Sequence, residues 1–246
     1  MANELTWLGH STVLIDFDGT RVLTDPVLRR RVMHLVRTAK VRPDALDAVD
    51  LVAVSHAHWD HLDLPSLRQV GRKLPVVVPK GVGRLLASRG FHEVVEVDEG
   101  SEIEVEGVTV RATHAEHDAG RGPLGLKAPA LGYVLEASRR VYFAGDTDLF
   151  DGMTGLASDL DVALVPIAGW GPRLPAGHLD PERAAEAVRR LRPRSVVPVH
   201  WGTYRPIYRR GPSGDAASAS RFAARVRELA PDVDVRVLGL GESCGI

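Results

Sequence analysis

Residues 54–63, VSHAHWDHLD, concentrate side chains that bind metals: three histidines and two aspartates in ten positions. His56 and His58 follow the short apolar run DLVAVS, which is typical of a buried strand. Because extended residues two apart point the same way, both imidazoles can contact one cation. Asp60 and His61 lie where the chain turns toward a helix, and they suit a second cation nearby. Imidazole with carboxylate is a zinc-type ligand set that iron and manganese also accept.

A solvated polar loop with incidental histidines is the alternative, and four ligand-type side chains at this spacing disfavour it. Two metal sites need more than four ligands. Further candidates stand where other predicted strands end, which is where open α/β sheets collect their sites. These are His114 and His117 in VRATHAEHD, Asp146 in VYFAGDTD, and His200 in VVPVHWG.

The elements that must position these residues follow a repeated order: β-rich, then β/α, then β-rich, then β/α. Two similar halves of this kind predict an α/β architecture of two sheets packed face to face with helices outside. Without a repeat or an evident linker, residues 1–246 are expected to form one domain. Three local expectations are a β-meander at the start, a surface helix or loop over residues 29–40, and an antiparallel sheet over residues 92–117. DPERAAEAVRRLRP predicts an amphipathic helix with Asp180 as its N-cap.

The composition limits the class of protein. Of 246 residues, 44% are hydrophobic, and the formal net charge of −1 argues against electrostatic binding of nucleic acid. The single cysteine allows no intrachain disulfide, which fits a reducing compartment. No secretory signal and no apolar run long enough to span a membrane are evident. A cytoplasmic protein without stable membrane insertion is therefore expected, and the sequence does not specify its oligomeric state.

The HAHWDH segment matches the HxHxDH signature of the metallo-β-lactamase fold. The segments WLGHSTVLIDFDGTRVLTDP, HAEHDAGRG, FAGDTD, HLDPERAAEA and VHWGT resemble, in order, the blocks of one branch of that family. This branch contains the ascorbate-6-phosphate lactonases and N-acyl-phosphatidylethanolamine phospholipase D, and the blocks cover most of the chain. The resemblance implies a four-layer αββα sandwich with a two-metal site.

The resemblance also assigns ligands. It implies one metal on His56, His58 and His117, and a second on Asp60, His61 and His200, with Asp146 bridging the two. Asp60 is additionally expected to serve in catalysis. His117 is preferred over its neighbour His114 because the family motif continues as in HDAGR. His114 stands where relatives often carry proline, so it is a candidate to face the substrate or to support the ligands.

Two divalent ions, most simply Zn, with Mn or Fe as alternatives, can share a hydroxide and stabilise the attacking and leaving oxygens. Such a site needs no serine or cysteine nucleophile. The sequence therefore predicts a metallo-hydrolase acting on a phosphodiester, a phosphorylated lactone or a related ester of a small, anionic substrate. An iron-dependent oxidoreductase on the same fold and a metal-binding protein without catalysis are the alternatives.

Residues beside the predicted ligands are assigned supporting roles. His178 precedes a helix N-terminus and, by resemblance, faces the metals without binding them, so it is expected to contact a substrate oxyanion and take part in catalysis. Arg121 and Arg173 lie in loops near the motifs and are candidate clamps for an anionic substrate. His10 and Asp25 recur in the opening hairpins of the branch and are expected to orient the ligands, with plain turn and packing roles as the alternative.

Overall fold

The computed structural model describes residues 3–39, 46, 48–120, 125–156, 158–169, 174–208 and 216–246. The strands in these ranges are β1 (Glu4–Gly9), β2 (Thr12–Phe17), β3 (Thr20–Thr24), β4 (Arg31–Val32), β5 (Leu35–Arg37), β6 (Leu51–Ala53), β7 (Val76–Pro79), β8 (Val94–Val97), β9 (Glu102–Val105), β10 (Val108–His114), β11 (Leu131–Glu136), β12 (Arg140–Phe143), β13 (Val162–Pro166), β14 (Ser195–Val199), β15 (Tyr204–Pro206), β16 (Asp234–Val235) and β17 (Ser243–Gly245). The helices are α1 (Leu64–Val70), α2 (Gly83–Ala87), α3 (Pro181–Leu191) and α4 (Ala216–Leu229), with a short 3-10 helix at Asp151–Met153.

Two large mixed sheets dominate the described chain. One has the strand order β17-β1-β2-β3-β6-β7-β8, and the other has the order β16-β14-β13-β12-β11-β10-β9. In each sheet an antiparallel meander continues into parallel strands, β3-β6-β7-β8 in the first and β12-β13-β14-β16 in the second. The parallel strands are short apolar runs, and β6, β7 and β13 are buried along their whole length because helices or a second sheet cover both faces.

Three apolar clusters separate the layers. The central one joins inward-facing side chains of both sheets, among them Trp7 and Ile15 of the first and Tyr133 and Phe143 of the second. A second cluster packs α3 and α4 on the outer face of the second sheet, and a third packs α1 and α2 on the outer face of the first. This is the predicted four-layer αββα sandwich.

The helix that follows β13 forms for the reasons the sequence indicates. Asp180 is its N-cap, and the Asp180 carboxylate accepts a hydrogen bond from the Arg183 backbone N–H at 2.8 Å. Pro181 occupies the first turn, where the missing N–H costs nothing. The capped helix fixes the end of the preceding loop, which carries His178.

Two of the local expectations were wrong. Within residues 29–39 the chain forms the β4–β5 hairpin instead of a surface helix or loop, and β5 pairs with β15 to make a separate three-stranded sheet. Residues 92–117 do not form one antiparallel sheet, because β8 pairs in parallel with β7 in the first sheet while β9 and β10 belong to the second. The opening meander β1-β2-β3 is confirmed. No helix in the described ranges has the length and apolar character that a membrane span requires.

Candidate metal centre

The histidine-rich loop follows β6 directly and brings two of its imidazoles together with one from β10's end. His56 Nε2 and His117 Nε2 lie 3.1 Å and 3.2 Å from His58 Nδ1. The three ring nitrogens are all within 4.8 Å of one another, so they could bind one cation. His56 is buried, whereas His58 and His117 are half-buried. The structure thus groups the three histidines predicted to hold the first metal.

The second predicted set gathers around a different point of the same cleft. Nε2 of His61 and Nε2 of His200 both lie 3.3 Å from Asp146 Oδ2. The same two nitrogens lie 4.0 Å and 3.9 Å from Asp60 Oδ2. Four polar side chains from the ends of β6, β12 and β14 therefore converge on one small volume. His10 also lies here, with a ring nitrogen within 4.8 Å of ligand-type atoms of Asp60, His61 and His200.

Asp146 stands between the two sets, because a carboxylate oxygen of Asp146 also lies within 4.8 Å of a ring nitrogen of His117 and of a ring nitrogen of His178. It follows β12 through Gly145, whose φ of +63° and lack of a side chain matter here. A Cβ on Gly145 would lie 2.6 Å from the Ser55 Cβ, so only glycine lets the two loops approach this closely. Asp146 thus lies between the two predicted ligand groups, and its bridging role stays a prediction.

The donor set fits divalent cations. Among the described residues, the buried Nε2 of His61 and the buried Oδ1 of Asp146 have no hydrogen-bond partner. Buried polar atoms are normally paired. A cation bound between His61 and Asp146 would explain why these two atoms have no partner. Imidazole nitrogens mixed with carboxylate oxygens are the ligands that zinc, manganese and iron accept.

Electrostatics within the cluster couples its acids to its bases. Burial opposes charge on Asp146, but the facing His200 and His61 imidazoles hold the pKa of that carboxyl well below its usual value. Burial likewise opposes charge on His61, yet Asp146 and Asp25 raise the pKa of His61 well above normal. Burial keeps the pKa of His56 well below normal. A divalent cation bound in this cluster would neutralise its carboxylates in place of the protons that the imidazoles carry.

Asp25 is hydrogen-bonded to two residues of the histidine-rich loop, and its predicted role in orienting the ligands stays a prediction. Its Oδ2 accepts hydrogen bonds from His61 Nδ1 and from the Ser55 hydroxyl, each at 2.6 Å. Its Oδ1 accepts the Ser55 backbone N–H at 2.7 Å. The Ser55 Oγ lies 2.9 Å from His56 Nδ1, which leaves the Nε2 atoms of both His56 and His61 facing the centre. Sequence reasoning missed Ser55, although its place directly before the HxH motif was a usable signal.

His117 is oriented by backbone instead. Its Nδ1 donates to the Gly177 carbonyl at 2.7 Å, which turns Nε2 toward the centre. Gly177 has a φ of +82°, and a Cβ there would lie 3.1 Å from His117 Nδ1. This glycine was also missed, because its contact joins residues 60 positions apart.

His10 is wholly buried beside the second set. Its Nε2 lies 3.4 Å from Asp60 Oδ2, and its ring centroid is 4.0 Å from that of His200. Burial and the neighbouring His200 lower the pKa of His10 to about 3, so the ring is neutral at ordinary pH. His10 therefore contacts Asp60 as a neutral imidazole.

The predicted substrate-facing residues lie at different distances from the centre. His178 Nε2 lies 3.6 Å from Asp146 Oδ2, so this side chain reaches the centre. His114 instead lies between Glu99 and Glu116, with Nδ1 3.0 Å from Glu99 Oε2 and Nε2 3.4 Å from Glu116 Oε2. It joins none of the candidate metal groups in the described chain. Arg121 and Arg173 lie outside the described residues, and their clamp role stays a prediction.

Comparison with protein families gives a match over most of the chain. The family described as the Beta-lactamase superfamily domain matches residues 20–201. A protein of Methanopyrus kandleri described as a UPF0173 metal-dependent hydrolase is 34% identical over 248 residues, which cover 98% of each chain. An uncharacterized protein of Mycobacterium tuberculosis is 36% identical over 82% of this chain but only 59% of its own length.

Two further similarities concern a named activity and a solved structure. The N-acyl-phosphatidylethanolamine-hydrolyzing phospholipase D 1 of Caenorhabditis elegans is 30% identical over 226 residues, which cover 81% of this chain and 64% of that protein. The structure of Igni18, a metallo hydrolase of the archaeon Ignicoccus hospitalis, is similar with a TM-score of 0.75 and 27% identity, and it covers 100% of this chain and 99% of its own.

Proposed function

The chain belongs to the beta-lactamase superfamily of metal-dependent hydrolases, and on this premise we propose that it hydrolyses an ester bond with two divalent metal ions. The observation that carries the proposal is the convergence of seven side chains from several strand ends. These are His56, His58, Asp60, His61, His117, Asp146 and His200. Orphaned buried atoms on His61 and Asp146 support the presence of cations among them.

The proposed ligands divide as the two geometric groups do. One ion would be held by His56, His58 and His117. The other ion would be held by Asp60, His61 and His200, and Asp146 would contact both ions. Two such ions supply an activated water and stabilise charge on the reacting oxygens of an ester or phosphoryl group. The donor set favours Zn, with Mn and Fe as alternatives.

Two side chains of the chain itself are proposed to act on the reaction. Asp60 is partly open to solvent, with 17% of its side chain exposed, against 4% for Asp146. Of these two carboxylates, Asp60 is therefore the one that an attacking water can reach, and we propose that it receives the proton of that water. His178 reaches the cluster from the loop before α3, where its ring N–H can donate to an oxyanion of the substrate.

We propose a small, anionic ester as the substrate, either a phosphodiester or a phosphorylated lactone. His178 supports this, because its ring reaches the centre. The phospholipase D relative supports the phosphodiester class. With a net charge of −1, nucleic acid is not proposed as a partner. A cytoplasmic location is proposed on the single cysteine.

Elemental analysis and a substrate panel test the proposal together. Protein purified without chelator should contain up to two Zn, Mn or Fe per chain, and chelation should abolish hydrolysis of at least one phosphodiester or lactone until metal is restored. Oxygen-dependent turnover of an iron-loaded form without ester hydrolysis would favour the oxidoreductase alternative. Metal binding without any turnover would favour the non-catalytic alternative.

A further inference from the structure

The two groups of proposed ligands differ in how deeply they are buried. On one side the imidazoles of His61 and His200 are wholly buried and only Asp60 is partly exposed. On the other side only His56 is wholly buried, whereas His58 and His117 are half-buried. A buried ligand is held in one rotamer by packing and is shielded from competing water. The His61 side of the centre is therefore the more rigid side.

The groups also differ in charge. Asp60 belongs to the His61 side, and the Asp146 oxygen that contacts His61 and His200 at 3.3 Å also faces that side. The other group consists of three imidazoles and shares only Asp146. A divalent cation is attracted more strongly to the side with the additional carboxylate, and burial weakens the screening of that attraction.

His10 fixes the additional carboxylate. The His10 backbone N–H donates to Thr203 Oγ1 at 2.6 Å, and its carbonyl accepts from Trp7 Nε1 at 2.9 Å and from the His200 N–H at 3.0 Å. These bonds hold a non-glycine residue at a φ of +56°, a conformation that persists only where the surroundings impose it. The ring then lies against Asp60, with Nε2 3.4 Å from Asp60 Oδ2, and this contact limits the directions in which that carboxylate can point.

Asp25 fixes the adjacent imidazole with a charged hydrogen bond. Its contact with His61 Nδ1 is direct, at 2.6 Å, and makes His61 a more basic ligand. Ligands of the other group have neutral partners among the described residues: the Ser55 hydroxyl for His56 and the Gly177 carbonyl for His117. The residues that hydrogen-bond to the proposed ligands therefore favour metal binding on the His61 side, as burial and charge do.

We propose that the chain holds its two metal ions unequally, retaining the ion on Asp60, His61 and His200 while the ion on His56, His58 and His117 exchanges, and that His10 is the positioning residue that sets this difference. The inference rests on the proposed function, because it assumes that the centre binds two ions. It assigns to His10 an effect on metal retention at one site only.

The experiment is a titration of the chelator-treated full chain with Zn²⁺ in competition with a chromophoric chelator. Wild-type protein should bind one ion per chain at least tenfold more tightly than the second. His58→Asn should remove the weaker step and keep the tighter one. His10→Leu should weaken the tighter step by about 10–100-fold, the range expected for loss of a residue that supports a ligand.

Matched variants separate positioning from a general structural effect. His10→Gln keeps an N–H donor near Asp60 and should recover most of the affinity that His10→Leu loses. His92→Leu makes the same kind of change at an exposed histidine outside the centre and should leave both steps unchanged. Circular dichroism of the metal-free protein shows whether His10→Leu folds. If it does not fold, Asp25→Asn provides the test, because this substitution keeps the shape of the side chain. Asp25→Asn should weaken binding of the more tightly held ion.

Each result decides the inference. Two steps of equal affinity in wild type, loss of the tighter step in His58→Asn, or equal affinities for His10→Leu and His10→Gln would overturn it while leaving the proposed function standing. If wild-type protein binds no Zn²⁺, Mn²⁺ or Fe²⁺ at all, the proposed function fails and this inference fails with it.

Discussion

His178 and Asp146 face each other across the centre, with His178 Nε2 3.6 Å from Asp146 Oδ2. The His178 ring also packs edge-on against His117, with centroids 4.7 Å apart. His178 thus lies beside the residue that joins the two ligand groups, and it comes from a loop that ends at the capped N-terminus of α3. That position suits either a further metal ligand or a donor to the substrate, and mutation distinguishes the two.

Replacing His178 should impair turnover and not metal retention. His178→Ala removes one hydrogen-bond donor to a substrate oxyanion, a change that commonly costs roughly 10²–10³ in rate. Metal content and melting temperature should stay near those of wild type. The measurement is kcat on a hydrolysed phosphodiester or lactone together with elemental analysis of the same preparation.

His200→Ala is the control for that experiment, because His200 is a proposed ligand and its loss should release metal. If His178→Ala releases metal as readily as His200→Ala, His178 is a ligand. If it keeps both metal and full activity, its role is confined to packing beside His117.

Asp146→Asn should disturb both metal sites at once. The substitution keeps the size of the side chain but removes the charge that faces His61 and His200 and joins them to the His117 side. We expect less than one retained ion per chain and loss of nearly all hydrolysis. His117→Ala, by contrast, should affect mainly one ion, so a chain that retains two ions after Asp146→Asn would exclude the bridging role.

Gly177→Ala tests the backbone support of His117. The added Cβ would lie 3.1 Å from His117 Nδ1, and a φ of +82° is strained for alanine. We expect a lower melting temperature and weaker binding of the ion on the His117 side. Gly155→Ala is the matched control, because Gly155 has a φ of +89° with nothing within 4 Å of a new Cβ, so it carries the strain without the collision. Equal metal affinity in the two variants would show that the collision does not reach His117.

The residues that could be predicted from the sequence are those that stand in a recognisable local pattern. His56, His58, Asp60 and His61 stand in one loop after a strand, and Asp180 caps a helix that begins at the next residue. Both patterns depend on periodicity and turn chemistry over a few positions. Strand ends offered His114, His117, Asp146 and His200 as further candidates, and the resemblance to the family selected His117 over His114.

What the sequence could not provide depends on contacts between distant segments. The surface helix or loop predicted over residues 29–40 was wrong because β5 of the β4–β5 hairpin pairs with β15, and the paired residues Leu35 and Pro206 are 171 positions apart. The alternating residues of β8 resemble those of an antiparallel strand, yet tertiary packing places it in parallel beside β7. His114 was a substrate-facing candidate from its position alone, and nothing in its neighbourhood along the chain indicates the pairing with Glu99.

That pairing gives a prediction for pH. Glu99, and to a smaller degree Glu116, raise the pKa of the half-exposed His114 above 6.5. In an NMR titration the His114 imidazole should therefore titrate above 6.5, and Glu99→Gln should lower its midpoint. Glu104→Gln, an exposed carboxylate on the neighbouring strand β9, is the control and should leave the midpoint nearly unchanged. A His114 midpoint that does not respond to Glu99→Gln would show that the ion pair does not form in solution.

The sign of the effect on stability follows from the same pairing. A raised pKa in the folded state means that His114 stabilises the fold fully below the unfolded-state value of 6.5, and that this contribution is lost as pH rises through the folded-state value. The stability difference between wild type and His114→Asn in urea denaturation should therefore be largest at acid pH and shrink as pH increases. Because the pair is exposed, the difference should stay small. A difference that grows with pH would require His114 to be stabilised in its neutral form, contrary to its position between two carboxylates.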